Sequence, residues 1–208
     1  MLSFLRTGEL GPLKLGLTMR EVSELLGPPA WWTDGGSVAP VPLLWGYRPF
    51  LEVLFGREPP YLLETIKVMR LPAAGRKYVQ IARLRMDRDG FHDEMRPSDF
   101  LRRQVWAEVD ALIVGRQNGS NPIIDICTNK TRLVWSMSIT GEEMLQRQSD
   151  SGLSEAAYMA RRDQLSDGFL GIYSSRSPKL DRAPLHGWSN FTSDQYLALI
   201  GSAETNAE

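Results

Sequence analysis

Leu17-Thr18-Met19-Arg20-Glu21-Val22-Ser23-Glu24-Leu25-Leu26-Gly27-Pro28-Pro29 is the stretch that decides the fold. Thr18 is a helix N-cap, and Glu21, three residues on, can reach back to the N–H of the cap. Leu17 and Val22 occupy the two positions of a hydrophobic staple. Met19, Val22, Leu25 and Leu26 form one apolar stripe. Gly27 is a candidate left-handed C-cap, and two prolines that cannot continue a helix follow. The spacing therefore predicts a short helix over 19–26.

Working outward, the next segments change period. Val41–Tyr47, Phe50–Phe55, Leu62–Met69 and Tyr78–Met86 are rich in β-branched, aromatic and leucine residues and are punctuated by Gly or Pro, which predicts a meander of four antiparallel strands. Ile123–Thr128 and Leu133–Ile139 flank Asn129-Lys130-Thr131 and read as a hairpin. The capping grammar recurs at Thr140-Gly-Glu-Glu143 and at Thr192-Ser-Asp-Gln195, so a helix should open at each. Ser154–Gln164 carries good helix formers. Residues 98–106 suit a helix that leads into a strand, while 34–40, 71–77 and 174–190 read as loops and 201–208 as a fraying tail.

The expected class is α+β: antiparallel sheets with short capped helices packed on one face. At 208 residues a single compact domain over 1–208 is expected. Halves at 1–90 and 91–200 are the alternative division, because helix, strands, helix, strands is the order of a degenerate duplication.

Composition narrows the function classes. The chain is 42% hydrophobic and 24% charged, ordinary for a folded domain and far from the signature of disorder. Lys plus Arg number 24 and Asp plus Glu 25, so no global positive field exists to hold nucleic acid. Cys127 is the only cysteine, which excludes an internal disulfide and a Cys-based zinc site and points to a reducing compartment. The opening Met-Leu-Ser-Phe-Leu-Arg lacks a basic n-region before an apolar run, and no stretch approaches a membrane span, so a cytoplasmic location is expected.

No catalytic, cofactor or metal motif stands out. His92 and His186 lie in separate polar or Gly-rich segments, and no nucleophile elbow, phosphate loop or zinc-protease pair is present. Asp87-Arg-Asp89-Gly90-Phe-His92-Asp93-Glu94 gathers carboxylates but has the wrong spacing for a calcium loop, and reads as a polar turn. Cys127, in an apolar run, reads as a small core hydrophobe. Arg76, Lys77, Arg83, Arg85 and Arg88 crowd one predicted strand, and the simplest reading is a solvated face balanced by the acidic turn.

The chain holds six tryptophans. Trp31 and Trp32 are adjacent in an extended segment, so they point to opposite sides: one should fill the core and the other face outward as an anchor for a partner. Trp45, Trp106 and Trp135 are expected in the core.

Leu15-Gly16-Leu17-Thr18-Met19-Arg20-Glu21-Val22, Leu26-Gly27-Pro28-Pro29, Trp45-Gly46-Tyr47 and Leu51-Glu52-Val53-Leu54-Phe55 together resemble bacterial immunity-like proteins of toxin–immunity systems. More distantly, residues 10–70 resemble the helix-then-sheet module of β-lactamase-inhibitor-like proteins and of outer-membrane-assembly lipoproteins. The lipoprotein branch requires an N-terminal lipid-accepting cysteine, which this sequence lacks. The resemblance implies a non-enzymatic protein that binds a protein partner, a cognate toxin, with no nucleic acid, membrane or cofactor involved. Trp31, Trp32, Tyr47 and Arg48 with Asp87, Asp89, Asp93 and Glu94 are the expected contact rim. Two other readings stay open: a pocket built from His92, Asp93, Glu94 and Asp125, or a structural subunit of a larger assembly.

Overall fold

The computed structural model describes residues 1–34, 40–71, 73–106, 112–118, 121–136, 155–164, 168–175 and 189–205. The chain is α+β: its paired strands are antiparallel and its helices short, in agreement with the sequence reading. It divides into two compact units.

Unit 1 comprises Met1–Asp93 with Asn129–Arg132 and the described part of Gly171–Leu180. It opens with α1 (Leu2–Thr7), which the sequence reading did not foresee, and closes that helix on Gly8 in the left-handed conformation. The helix α2 (Met19–Leu26) has the expected bounds, and its capping box is complete: Glu21 N–H donates to Thr18 Oγ1 at 3.3 Å, and Thr18 N–H donates to Glu21 Oε2 at 2.7 Å. These bonds, first that from the Thr18 backbone, hold the Glu21 carboxyl below its usual range. Val22 and Leu26 face the core.

The strands are β1 (Trp31–Thr33), β2 (Leu44–Tyr47), β3 (Leu51–Phe55) and β4 (Leu63–Val68), and the C-terminal part of a later strand pairs with β4. Their order in unit 1 is β1-β2-β3-β4 followed by that strand. Leu63 N–H donates to Leu17 at 2.7 Å and Gly16 N–H to Leu63 at 2.8 Å, so the entry to α2 is stitched to the start of β4. Its exit is held by Tyr47, whose phenol donates to the Gly27 carbonyl at 3.2 Å. Val53, Ile66, Val68, Leu51, Leu63 and Phe55 fill the space beneath, each 1% exposed or less.

Tyr78–Met86, expected as one strand, is a hairpin: β5 (Tyr78–Ile81) and β6 (Leu84–Asp87) turn at Ala82-Arg83. Ala82 takes φ 49° there, a conformation usually signalled by Gly or Asn, so the turn carries no sequence mark.

Unit 2 comprises Glu94–Thr128 and the described parts of Leu133–Leu170 and Asp181–Glu208. Pro97 opens α3 (Pro97–Arg102), where the Asp99 carboxylate accepts from the Arg96 N–H at 2.9 Å. Then β7 (Leu112–Asn118) pairs with β8 (Asn121–Cys127) from Leu112–Cys127 to Asn118–Asn121. The expected hairpin partner of β8 is β9 (Arg132–Ser136). Next come α4 (Glu155–Gln164) and β10 (Gly168–Ser175), whose residues from Gly171 form the strand beside β4. The strand is unmarked in the sequence, and it runs to Ser175, into the segment 174–190 expected as a loop. The chain finishes with β11 (Ser189–Phe191) on β7 and α5 (Ser193–Thr205). The predicted cap of α5 is present, with Gln195 N–H on Thr192 Oγ1 at 3.2 Å and Thr192 N–H on Gln195 Oε1 at 2.9 Å. The helix expected to open at Thr140 lies outside the described residues.

An aromatic cluster centres unit 2. Trp135 meets Phe100 edge-on at 5.2 Å and Phe169 at 5.3 Å, and its indole donates to the Met95 carbonyl at 3.1 Å. Beside it lies Asp163, 2% exposed. One carboxylate oxygen accepts from Ser98 N–H and from the Tyr196 phenol, each at 2.9 Å, and the other from the Ser98 hydroxyl at 2.6 Å. Asp163 thereby caps α3 from α4 and ties both to α5. Burial, and then the charge of Asp163, push the Tyr196 phenol far above its usual range.

Candidate functional site: the edge strand and outer sheet face of unit 1

Cross-strand partners share a face, so the register sorts the unit 1 sheet into rows. Trp45, Val53, Ile66 and Ser174 form one inward row, with Trp32 at its end. Trp31, Gly46, Glu52, Lys67 and Tyr173 form a row on the outer face, and Thr33, Leu44, Leu54, Thr65 and Ser175 the row beside it.

The outer row is a chain of contacts. A Cβ built on Gly46 would stand 1.9 Å from Trp31 Cε2, so the indole occupies the space that glycine leaves open. Further along, Lys67 Nζ pairs with Glu52 at 3.1 Å and lies 5.4 Å from the centre of the Tyr173 ring. Burial alone would lower the Lys67 ammonium, but Glu52 and Tyr173 outweigh it and hold the group above its usual range. Leu54, in the neighbouring row, is 37% exposed.

Trp31 and Trp32 point to opposite faces, as alternation requires, yet the expectation that one fills the core is corrected. Trp32 takes the inward side and is still 64% exposed, and Trp31 is 40% exposed. The reason is position: β1 is the terminal strand of its sheet, flanked in it by β2 alone. Trp45 is half-buried, edge-on to Phe55 at 4.8 Å, and Trp135 is fully buried.

The other rim residues separate. Tyr47 is corrected from rim to core: it is 3% exposed, because its position in β2 faces inward, and burial pushes its phenol up to about 12. Arg48 is exposed in the turn after β2. Asp87, Asp89, Asp93 and Glu94 are exposed. The Asp89 carboxylate accepts from the Leu2 N–H at 2.8 Å and from the Met1 amino group at 3.0 Å, contacts that hold it below its usual range, while the Asp87 carbonyl also accepts from Met1.

The basic cluster does not form one face. Arg88 is 3% exposed, and its guanidinium donates to the carbonyls of Phe91 and Ala73, both at 2.8 Å, and of Arg76. Arg83 sits in the turn and donates to the Glu24 carbonyl at 3.3 Å, and Arg85 lies 4.0 Å from the centre of the exposed Tyr78 ring. The sequence reading missed the Arg88 clamp, since an arginine beside acidic residues looks solvated until the loop carbonyls are in place. It also missed Glu52, Lys67 and Tyr173, which lie far apart in the chain.

Asp125 is fully buried, His92 half-buried. Among the described residues no cluster of His, Cys, Asp or Glu is arranged to hold a metal ion, and no helix is long and apolar enough to cross a membrane. No protein-family model, no curated protein and no solved structure matches this chain.

Proposed function

We propose that this chain is a non-enzymatic protein-binding protein whose partner docks on β1 and the adjoining outer face of the unit 1 sheet. The observation that carries this reading is the pair Trp31 and Trp32, both exposed on a terminal strand. Adjacent exposed tryptophans are rare on a surface with no partner, and tryptophan is the side chain most enriched among residues that dominate binding energy. Trp31 is also pre-positioned, because Gly46 fixes where its ring can lie. The Glu52–Lys67–Tyr173 row supplies a polar continuation of the kind that borders an apolar anchor.

The finer form of the proposal is an immunity-type protein that neutralises a cognate toxin in the cytoplasm. It is supported by the resemblance of residues 10–70 to such proteins and by the solitary Cys127, which suits a reducing compartment.

The test is an affinity pull-down of the tagged chain from its native host, followed by titration of the captured protein against the wild type and the Trp31→Ala/Trp32→Ala variant. A stoichiometric partner whose affinity drops at least about thirtyfold in the variant is the expected result. Absence of a partner, or equal binding by the folded variant, refutes the reading. Rescue of partner toxicity by co-expression decides the immunity form.

A further inference from the structure

We infer that a cleft beside Gly8 in unit 1, at the opposite side of the sheet from β1, binds a small phosphorylated molecule. The cleft measures about 290 Å³ and is lined by Lys14, Asn129, Lys130, Ser174 and Ser175 together with the Glu9 carboxylate. That volume lies at the lower end of small-ligand sites. Three separate segments of chain converge there, and each brings a donor: the Lys14 and Lys130 ammonium groups with the Asn129 carboxamide, and the Ser174 hydroxyl.

Ser174 is the informative member. It occupies an inward position whose row is otherwise Trp45, Val53 and Ile66, and it is 2% exposed. It also lines the cleft. An oxygen bound in the cleft would accept from its hydroxyl. Gly8 maintains the approach: it takes φ 73°, and a Cβ there would lie 2.6 Å from Ser174 Oγ. Any side chain at position 8 would press on that hydroxyl.

A phosphoryl group matches this donor set because its several oxygens can receive ammonium, amide and hydroxyl donors from different directions. Glu9 repels an anion from its own side, which places the phosphoryl group toward Lys14, Lys130 and Ser174. It leaves the Glu9 carboxylate to accept from a hydroxyl on the same ligand.

The test is titration of the 15N-labelled full chain with glycerol 3-phosphate, inorganic phosphate and glycerol, reading the amide signals of Gly8, Lys130 and Ser175. Glycerol 3-phosphate should give saturable shifts at these residues, inorganic phosphate weaker binding at the same ones, and glycerol none. Lys14→Gln/Lys130→Gln, which alters only exposed side chains, and Ser174→Ala should each weaken glycerol 3-phosphate binding about tenfold or more with the folded spectrum retained. Equal binding of inorganic phosphate overturns the hydroxyl-bearing ligand in favour of the free anion. Absence of saturable shifts, or shifts unchanged in both variants, overturns the site. Neither result bears on the tryptophan surface, which uses none of these residues.

Discussion

Trp31 stands directly opposite Gly46 in the β1–β2 ladder, and its indole fills the volume that any side chain at position 46 would need. The contact makes an exposed aromatic into a fixed one. It also explains a glycine inside a strand, where glycine otherwise weakens the sheet.

Gly46→Ala should therefore displace the Trp31 ring, lower stability by about 1–3 kcal/mol and weaken partner capture. Trp31→Ala alone should cost less in folding, since that ring is already part exposed. In the double variant the two effects should be strongly non-additive, with most of the Gly46→Ala cost relieved. Chemical denaturation of all four proteins checks this, and additive losses would show that the two residues do not interact.

Asp163 concentrates three hydrogen bonds on one buried carboxylate. Asp163→Ala should lower the stability of unit 2 by about 3 kcal/mol, because the Ser98 N–H, the Ser98 hydroxyl and the Tyr196 phenol lose their acceptor together. Tyr196→Phe removes one of the three and should cost about 1 kcal/mol. Denaturation followed by the emission of Trp135, within the same unit, reports both.

Arg88 holds the segment from Ala73 to Phe91 through three backbone carbonyls. Arg88→Met keeps the length of the side chain and removes every donor, so a loss of about 3 kcal/mol or more is expected, with Arg88→Lys intermediate. Protease cutting within 73–77 should accelerate in the same order. An Arg88→Met protein as stable and as resistant as wild type would contradict the clamp.

The two buried phenols make stability fall at alkaline pH. The Tyr47 phenol is raised from 10.0 to about 12, so the folded chain holds its proton more tightly than the unfolded chain does. Its contribution is complete below pH 10.0 and is lost as the pH rises toward about 12. Tyr196 acts in the same direction. Tyr47→Phe should cost about 1 kcal/mol at neutral pH, from the lost bond to Gly27, and flatten part of the alkaline decline. Stability measured across that window checks the sign, and a wild-type rise in stability there would contradict it.

How much was legible depended on whether the information was local. The Thr18 and Thr192 caps were readable because the groups that satisfy each other lie three residues apart. The turn at Ala82-Arg83 was not, because it uses a residue without turn preference. Strand β10 was hidden for a different reason: Gly168-Phe-Leu-Gly-Ile-Tyr-Ser-Ser175 has neither strict alternation nor a continuous apolar run, and its place is set by the register of Ile172 on Val68. Of the candidate surface, the sequence points to one outward tryptophan of the pair rather than two exposed ones, and gives no sign of the Glu52, Lys67 and Tyr173 row beside them.

By itself the sequence determined the α+β class, the antiparallel strands, the bounds of α2 and the opening of α5, since each follows from short-range hydrogen-bonding chemistry and side-chain period. Only the tertiary structure decided that Tyr47 is interior while Trp32 is not, that Arg88 is buried in carbonyls, and that Glu52, Lys67 and Tyr173 meet. Burial and cross-strand register are properties of the packed chain: which strand ends a sheet, and what lies above a given face, depend on residues far away in sequence.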